Sequence, residues 1–337
     1  MDKSQLMAAL KRSFLRTGLY GGFRRMAPNA NVAILRYHAV VEPGDNHYTS
    51  PGIALSPAEF ERHVAYFSRH YTVMSLDALV DCLREGTAPP RNAVIFTFDD
   101  GYADNLEAAR ILHKYGATAT FYITTEPIGR ESRLWLAEVT SLMLRSDRPE
   151  FTLSVNGETQ TLPLSDRRRR WKAIREVVRT IKSNDRTVRE SVMGQVEAQL
   201  ATPALLADVE SLILTWDQVR EMQALGMTIA AHTVTHLNLP NADPDDARRE
   251  IGDCRTRLEA ELDRPVRHFS YPNSGPYEYF TPAIREMVIA AGYDSATTSN
   301  QGFAHPGSDP YAIDRVRTVP ALEDVVHSME WERVIGG

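Results

Sequence analysis

Two short stretches of the sequence carry residue types that can do chemistry together. The first is Val94-Ile95-Phe96-Thr97-Phe98-Asp99-Asp100-Gly101, a β-branched and aromatic run that reads as a buried strand and ends in two carboxylates and a glycine. Such carboxylates must be paired, hydrogen-bonded, bound to a cation or held neutral, because an unpaired charge is costly to take out of water. The ordinary reading makes Asp100 a helix cap and Asp99 a turn residue. The chemical reading divides the work, one acid holding a metal and its neighbour acting as a base, since a bound cation favours ionised carboxylates nearby. The second stretch is His232-Thr233-Val234-Thr235-His236, whose His-x-x-x-His spacing suits a metal-binding pair. Thr233 stands where a helical zinc protease motif would carry its glutamate. The apolar run from Met227 to Ala231 places His232 at a strand end and the pair in the following loop. Two histidines and one carboxylate leave open positions for water and substrate, the pattern of hydrolytic zinc and not of a closed structural site.

The elements that must position these residues alternate. Strands are predicted over 31–37, 73–76, 94–98 and 117–123, then 227–231, 266–271, 293–298 and 312–319, with helical patterns after most of them. That rhythm implies parallel strands with right-handed crossovers, and seven or eight core strands. His38 follows the first strand, at the end where α/β barrels gather their chemistry. Ser56 with Glu59 and Thr215 with Gln218 form capping boxes, and Gly116 is placed to end a helix. Residues 130–212 break the rhythm. They hold a hairpin over 151–162 with Asn156-Gly157 at its turn, the run Arg167 to Arg170, and amphipathic helices. This stretch reads as an insertion over one end of the barrel, a lid or substrate wall, with the arginines on a solvated face.

Composition narrows the setting. A chain of 337 residues with 43% hydrophobic and 24% charged side chains can bury a large core. Its net charge of −6 argues against a dedicated nucleic-acid binder. Cys82 and Cys254 stand alone without a Cys-x-x-Cys, which favours a reducing cytoplasm. No apolar run approaches the roughly 20 residues that cross a bilayer. The N-terminus is basic (Lys3, Lys11, Arg12, Arg16, Arg24, Arg25), with Leu6, Leu10, Phe14, Leu15, Leu19 and Tyr20 at near-helical spacing. It reads as an amphipathic helix over 1–28, either packed on the domain or lying weakly at the inner membrane face.

The sequence resembles the polysaccharide deacetylase family (NodB-homology, carbohydrate esterase family 4) over residues 31–126 and 213–320. Phe96-Thr97-Phe98-Asp99-Asp100-Gly101 is similar to the family's first motif, His232-Thr233-Val234-Thr235-His236 to its second, and Tyr271-Pro272-Asn273-Ser274-Gly275 to its third. The arginine that usually precedes the third motif's proline is absent, Ser270 and Tyr271 standing there, and His327 is a poor match to the usual C-terminal acid. Arg36-Tyr37-His38 resembles the Tyr-His pair of the poly-N-acetylglucosamine deacetylase branch.

The resemblance implies a distorted (β/α)7–8 barrel over 29–129 and 213–325, with the insertion at 130–212 and a tail at 326–337. It also implies a metal held by Asp100, His232 and His236, expected to be Zn²⁺ with Co²⁺ or Ni²⁺ as substitutes. Asp99 is the expected base and His38 the acid, ahead of His327 and His305. Arg315 is expected to orient Asp99 in place of the missing arginine, against the alternative of an ordinary surface ion pair. Tyr102, Tyr271, Pro272 and Asn273 are expected at the substrate, with a backbone amide near Tyr102 facing the oxyanion. The implied activity is removal of an N-acetyl group from an amino sugar of a saccharide or glycan precursor. A formamide, cyclic amide or O-acetyl ester hydrolase and a silent saccharide-binding protein remain open.

Overall fold

A computed structural model describes residues 3–26, 31–129 and 132–335. The chain opens with two helices, α1 (Lys3–Arg16) and α2 (Leu19–Met26), broken at Gly18, whose φ of 74° resists a side chain. The predicted single helix over 1–28 is thus a helical pair, and residues 1, 2, 27 and 28 lie outside the described residues. Next come β1 (Ala33–Tyr37), the short strands β2 (Ala39–Val40) and β3 (Ala54–Leu55), α3 (Pro57–His70), β4 (Thr72–Val73), α4 (Leu76–Glu85), β5 (Ala93–Phe98), α5 (Asn105–Lys114), β6 (Ala119–Ile123) and the single turn α6 (Thr125–Ile128). Then follow α7 (Trp135–Arg145), the hairpin β7 (Glu150–Val155) and β8 (Glu158–Pro163), α8 (Arg167–Lys182), α9 (Arg186–Leu200) and α10 (Pro203–Ser211). The alternation resumes with α11 (Trp216–Ala224), β9 (Thr228–Ala231), α12 (Pro244–Leu262), β10 (His268–Ser270), α13 (Pro282–Ala290), β11 (Ser295–Gln301), β12 (Ile313–Arg317) and α14 (Leu322–Ile335).

Among the described residues, seven strands close a parallel barrel in the order β1-β12-β11-β10-β9-β6-β5 and back to β1. Closure runs from Ala33 opposite Val94 to Tyr37 opposite Phe98. An eighth strand, β4, pairs with the first two residues of β5 outside that ring. The ring is distorted where β9 meets β10 through the one pair Ala231–Phe269, and where the register slips between β11 and β12.

Alternation along each strand decides what the barrel contains. Phe96 and Phe98 of β5 point outward, edge-on to Phe60 of α3. Ile95 points inward and clusters with Ile34, Tyr122, Ala230 and Ile313, the inward residues of β1, β6, β9 and β12. Leu76, Leu79 and Val80 of α4 join that cluster and plug the lower end. Nearer the other end the inward positions turn polar: Thr97 of β5, Ser270 of β10 and Arg315 of β12 meet across the lumen. Since every barrel pairing is parallel, all strand carboxyl ends share that rim.

Both capping boxes form: Ser56 Oγ accepts from the Glu59 amide at 3.2 Å and Thr215 Oγ1 from the Gln218 amide at 3.3 Å, each reciprocated. The segment containing β7, β8 and α7 to α10 packs around its own apolar cluster, which includes Trp135, Phe151, Val177 and Val192. It is fastened to the loop after β9. Trp135 Nε1 donates to His236 O at 3.2 Å, and Arg189 donates to Thr235 O at 3.1 Å and to its Oγ1 at 3.0 Å. Residues 326–335, expected to be a tail, are the continuation of α14, with Val326 and Met329 buried in the core. The pairs Lys11–Asp324 and Arg24–Glu330 hold α1 and α2 against this helix.

Candidate active site

Asp99 extends the inward series of β5 one step past the strand, so its carboxylate enters the lumen below the rim. There it forms a two-pronged pair with Arg315, Nη1 to Oδ1 at 2.7 Å and Nη2 to Oδ2 at 2.8 Å. Arg315 is itself fixed: Nε donates to Thr298 O at 2.8 Å and Nη2 to Ser270 Oγ at 3.1 Å. It is 1% exposed, which removes the reading of a surface ion pair. Burial alone would raise the Asp99 carboxyl, but the guanidinium outweighs it and holds the acid at about 2.

Asp100 turns the other way because the backbone reverses. Its φ is 82° and that of Gly101 is 86°, so the chain leaves β5 through two successive left-handed residues. Thr233 (68°), His236 (56°) and Asn273 (76°) share this conformation, which a β-branched residue such as Thr adopts only under constraint. Asp100 Oδ1 lies 3.5 Å from His232 Nε2 and 3.3 Å from His236 Nε2. Donors bound at about 2.0–2.1 Å with tetrahedral angles stand roughly 3.3–3.4 Å apart, so the spacing fits one divalent cation. Tautomer supports the same fit. His232 Nδ1 lies 2.8 Å from Ser270 O, a carbonyl that can only accept, so the proton sits on Nδ1 and the Nε2 lone pair faces Asp100.

His38 stands beside this pair, its Nε2 at 3.8 Å from Asp99 Oδ2. Its loop is pinned from below: Asn105 Nδ2 donates to His38 O at 2.7 Å and the Val40 amide donates to Asp104 Oδ1 at 2.9 Å. Burial pushes the His38 imidazole down to about 4, so it is neutral at neutral pH. His327 and His305 are elsewhere. His327, on α14, meets the hydroxyl of Tyr20 from α2 at 2.9 Å, and His305 sits on an exposed turn against Pro306 O.

The remaining sequence-predicted residues divide. Tyr102 is bracketed by bonds from Ala103 N to Leu212 O (2.8 Å) and Leu214 N to Gly101 O (3.1 Å), a bridge that turns its own N–H away from residue 213. Pro272 is buried, and Asn273 donates to Asn238 Oδ1 at 3.3 Å. Tyr271 does not line the site. It follows inward-facing Ser270 by one position and so faces outward, stacked on Phe280 and donating its hydroxyl to Tyr311 O at 2.9 Å.

Several contributors escaped the sequence reading. Ser270 serves His232 through its carbonyl and Arg315 through its hydroxyl. Glu250 of α12 accepts from Thr235 N at 2.8 Å and Oγ1 at 2.6 Å, steadying the histidine loop. Lys182, at the end of α8, accepts from Asn238 and Asn241 through its carbonyl, both at 2.9 Å, and its ammonium is lowered by burial to about 8 against the pull of Asp100. No motif covers Lys182. Only Ser270 was findable, as the position two before Pro272 on the inward side of its strand.

A parallel barrel with paired carboxylates and two histidines at one rim defines a hydrolase-type centre of the NodB class. The description "Polysaccharide deacetylase" belongs to the family that matches residues 86–296. The chain therefore belongs to the polysaccharide deacetylase family, whose substrates are acetylated saccharides. It is 21% identical over 295 residues, 87% of this chain and 73% of the relative, to YxkH of Bacillus subtilis (strain 168), a protein named as a polysaccharide deacetylase. Among solved structures, the deacetylase PplD of Streptococcus pyogenes, in complex with acetate, superposes with a TM-score of 0.59 at 20% identity, covering 90% of this chain and 99% of that one. IcaB from Ammonifex degensii gives 0.54 at 18%, covering 90% and 98%. No helix among the described residues is long and apolar enough to cross a membrane.

Proposed function

We propose that this deacetylase is divalent-metal-dependent and hydrolyses the N-acetyl group of an amino sugar in a saccharide or glycan precursor. The observation that carries the reading is the convergence of Asp100 Oδ1 with the Nε2 atoms of His232 and His236, next to an acid that Arg315 keeps ionised. Nitrogen and oxygen donors suit Zn²⁺, with Co²⁺ or Ni²⁺ as substitutes. When bound, such a cation would polarise the acetyl carbonyl and lower the pKa of an adjacent water toward about 7.

The protein's own groups supply the rest. Ionised Asp99 takes the proton of the attacking water. The Tyr102 N–H, free of its bridge partner, faces the developing oxyanion. His38 is neutral at rest and must acquire its proton during turnover. Protonated Asp99, with Oδ2 at 3.8 Å from Nε2, is the neighbouring source, and His38 then protonates the departing amine. Pro272, Asn273 and the segment 130–212 form the walls of the cleft, with residues 29–129 and 213–325 as the catalytic unit. The two free cysteines, Cys82 and Cys254, suit a reducing, cytoplasmic setting.

Acetate release from N-acetylated oligosaccharides tests this, with chelation and metal add-back as controls. The expected result is metal-restored acetate release. Metal binding without turnover on N-acetyl, O-acetyl or formyl substrates would favour the silent saccharide binder, and turnover restricted to esters or formamides would move the substrate class.

A further inference from the structure

The barrel's flank carries a second surface that the chemistry at the rim does not use. Seven large apolar side chains are exposed among the described residues, and six of them, Leu6, Met7, Leu10, Leu19, Met26 and Trp331, lie on α1, α2 and α14. Leu6, Met7 and Leu10 lie in the N-terminal half of α1 on the stripe that Phe14 continues, and Phe14, Leu15 and Phe23 pack against the core. The apolar stripe of α1 therefore runs out past the core it packs on and leaves Leu6, Met7 and Leu10 in solvent, as Leu19 and Met26 of α2 also are, which a surface helix in water does not need.

Charge says what covers them. Residues 1–26 contain six Lys and Arg and a single Asp, in a chain whose net charge is −6. Lys11 and Arg12 are matched by Asp324 and Glu323, but Arg16 and Arg25 are exposed and carry no ion pair among the described residues. Leucines, methionines and a tryptophan interspersed with unmatched arginines are the composition of a helix that lies in a headgroup layer. Position adds a third point. Lys11 and Arg12 hold α1 against the first turn of α14, which starts five residues after β12 ends at the rim. The surface thus begins near the catalytic end of the barrel and runs along its flank, where Tyr20 meets His327 and Arg24 pairs with Glu330.

We propose that α1, α2 and the outer face of α14 form a docking surface for an anionic lipid bilayer, bringing the rim alongside the membrane. It is a peripheral attachment, since none of these helices is long enough to span. The surface stands independently of the deacetylase reading, because binding is measured without any acetylated substrate.

Co-sedimentation of the full chain with phosphatidylcholine vesicles, with and without phosphatidylglycerol, tests it. The wild type partitions onto the anionic vesicles and weakly or not at all onto the neutral ones, and added salt weakens the binding. The triple variant Leu6→Gln/Met7→Gln/Leu10→Gln lowers partitioning about tenfold, and Arg16→Glu/Arg25→Glu does so independently. Acetate release from a soluble substrate is unchanged in both, which also shows that they fold. Absence of wild-type binding to anionic vesicles overturns the proposal, as does a triple variant that binds as well as wild type. Self-association of the wild type in sedimentation velocity, abolished by the triple substitution and unaccompanied by vesicle binding, would assign the face to a second copy and overturn it equally.

Discussion

The two ends of this barrel use the same side chains in opposite ways. At the lower end, His268 of β10 donates or accepts at both ring nitrogens, Nδ1 at 2.9 Å from Ser295 Oγ and Nε2 at 3.2 Å from Asp77 Oδ1. Arg267 beside it binds Asp77 at 2.6 Å and Asp81 at 2.8 Å and also pairs with Asp294, which Arg84 holds at 2.7 Å. Every charge there has a partner. At the rim, His38 Nδ1, His236 Nδ1 and the Tyr102 hydroxyl are buried without a hydrogen bond, and Asp100, Thr233, His236 and Asn273 sit at positive φ. A saturated cluster can only add rigidity, whereas one with open valences and stored strain can hold something absent from the chain itself. This is the division of labour expected of a (β/α) barrel, stability below and chemistry above.

The comparison breaks most decisively if the rim is altered. Asp100→Asn or His232→Ala is expected to lose bound metal, measured by elemental analysis of the purified protein, and acetate release together; activity with no metal would remove the distinction between the ends. Asp99→Asn should keep the metal while kcat falls by about 10²–10⁴, and retained kcat would take the base role from this residue. Arg315→Met leaves the Asp99 carboxyl buried and unpaired. Its pKa then rises from about 2, and the acid limb of the pH–rate profile moves up by roughly 1–3 units.

The lower end should answer in stability alone. Asp77→Ala is expected to cost about 1–3 kcal/mol in urea unfolding with kcat unchanged; a matching loss of kcat would mean that the two ends are coupled. The smallest effect concerns pH. The hydrogen bond from His268 is the main cause that lowers the Asp77 carboxyl to about 2, reinforced by Arg267. A depressed acid stabilises the fold above its unfolded pKa of about 3.9, and that contribution fades as pH falls toward 2. Wild type should therefore lose its advantage over Asp77→Ala across that window, followed by thermal unfolding at stepped pH.

How much of this was legible in the sequence follows from the range of each interaction. Asp99-Asp100 and His232 with His236 were readable because a strand end and a four-residue spacing are local facts. The pair Arg315–Asp99 spans 216 positions, and its expectation rested on a motif that lacked its arginine; only the lumen shows that the two side chains meet. Tyr271 shows the converse. Proximity to a motif suggested the cleft, yet strand alternation sends Ser270 inward and Tyr271 outward, a rule the sequence already contained. Lys182 had no signal at all, since its place depends on how the 130–212 segment sits on the histidine loop.

By itself the sequence determined which side chains could ionise, ligate and cap, and the alternation that forces a parallel barrel, because hydrophobic periodicity and turn chemistry act over a few residues. Tertiary structure alone decided which of those groups face one another: the tautomer of His232, the neutral state of His38, the ionised state of Asp99 and the outward turn of Tyr271. Each depends on burial and on partners brought together from strands far apart in the chain, and an electrostatic balance of that kind exists only once the lumen has closed around it.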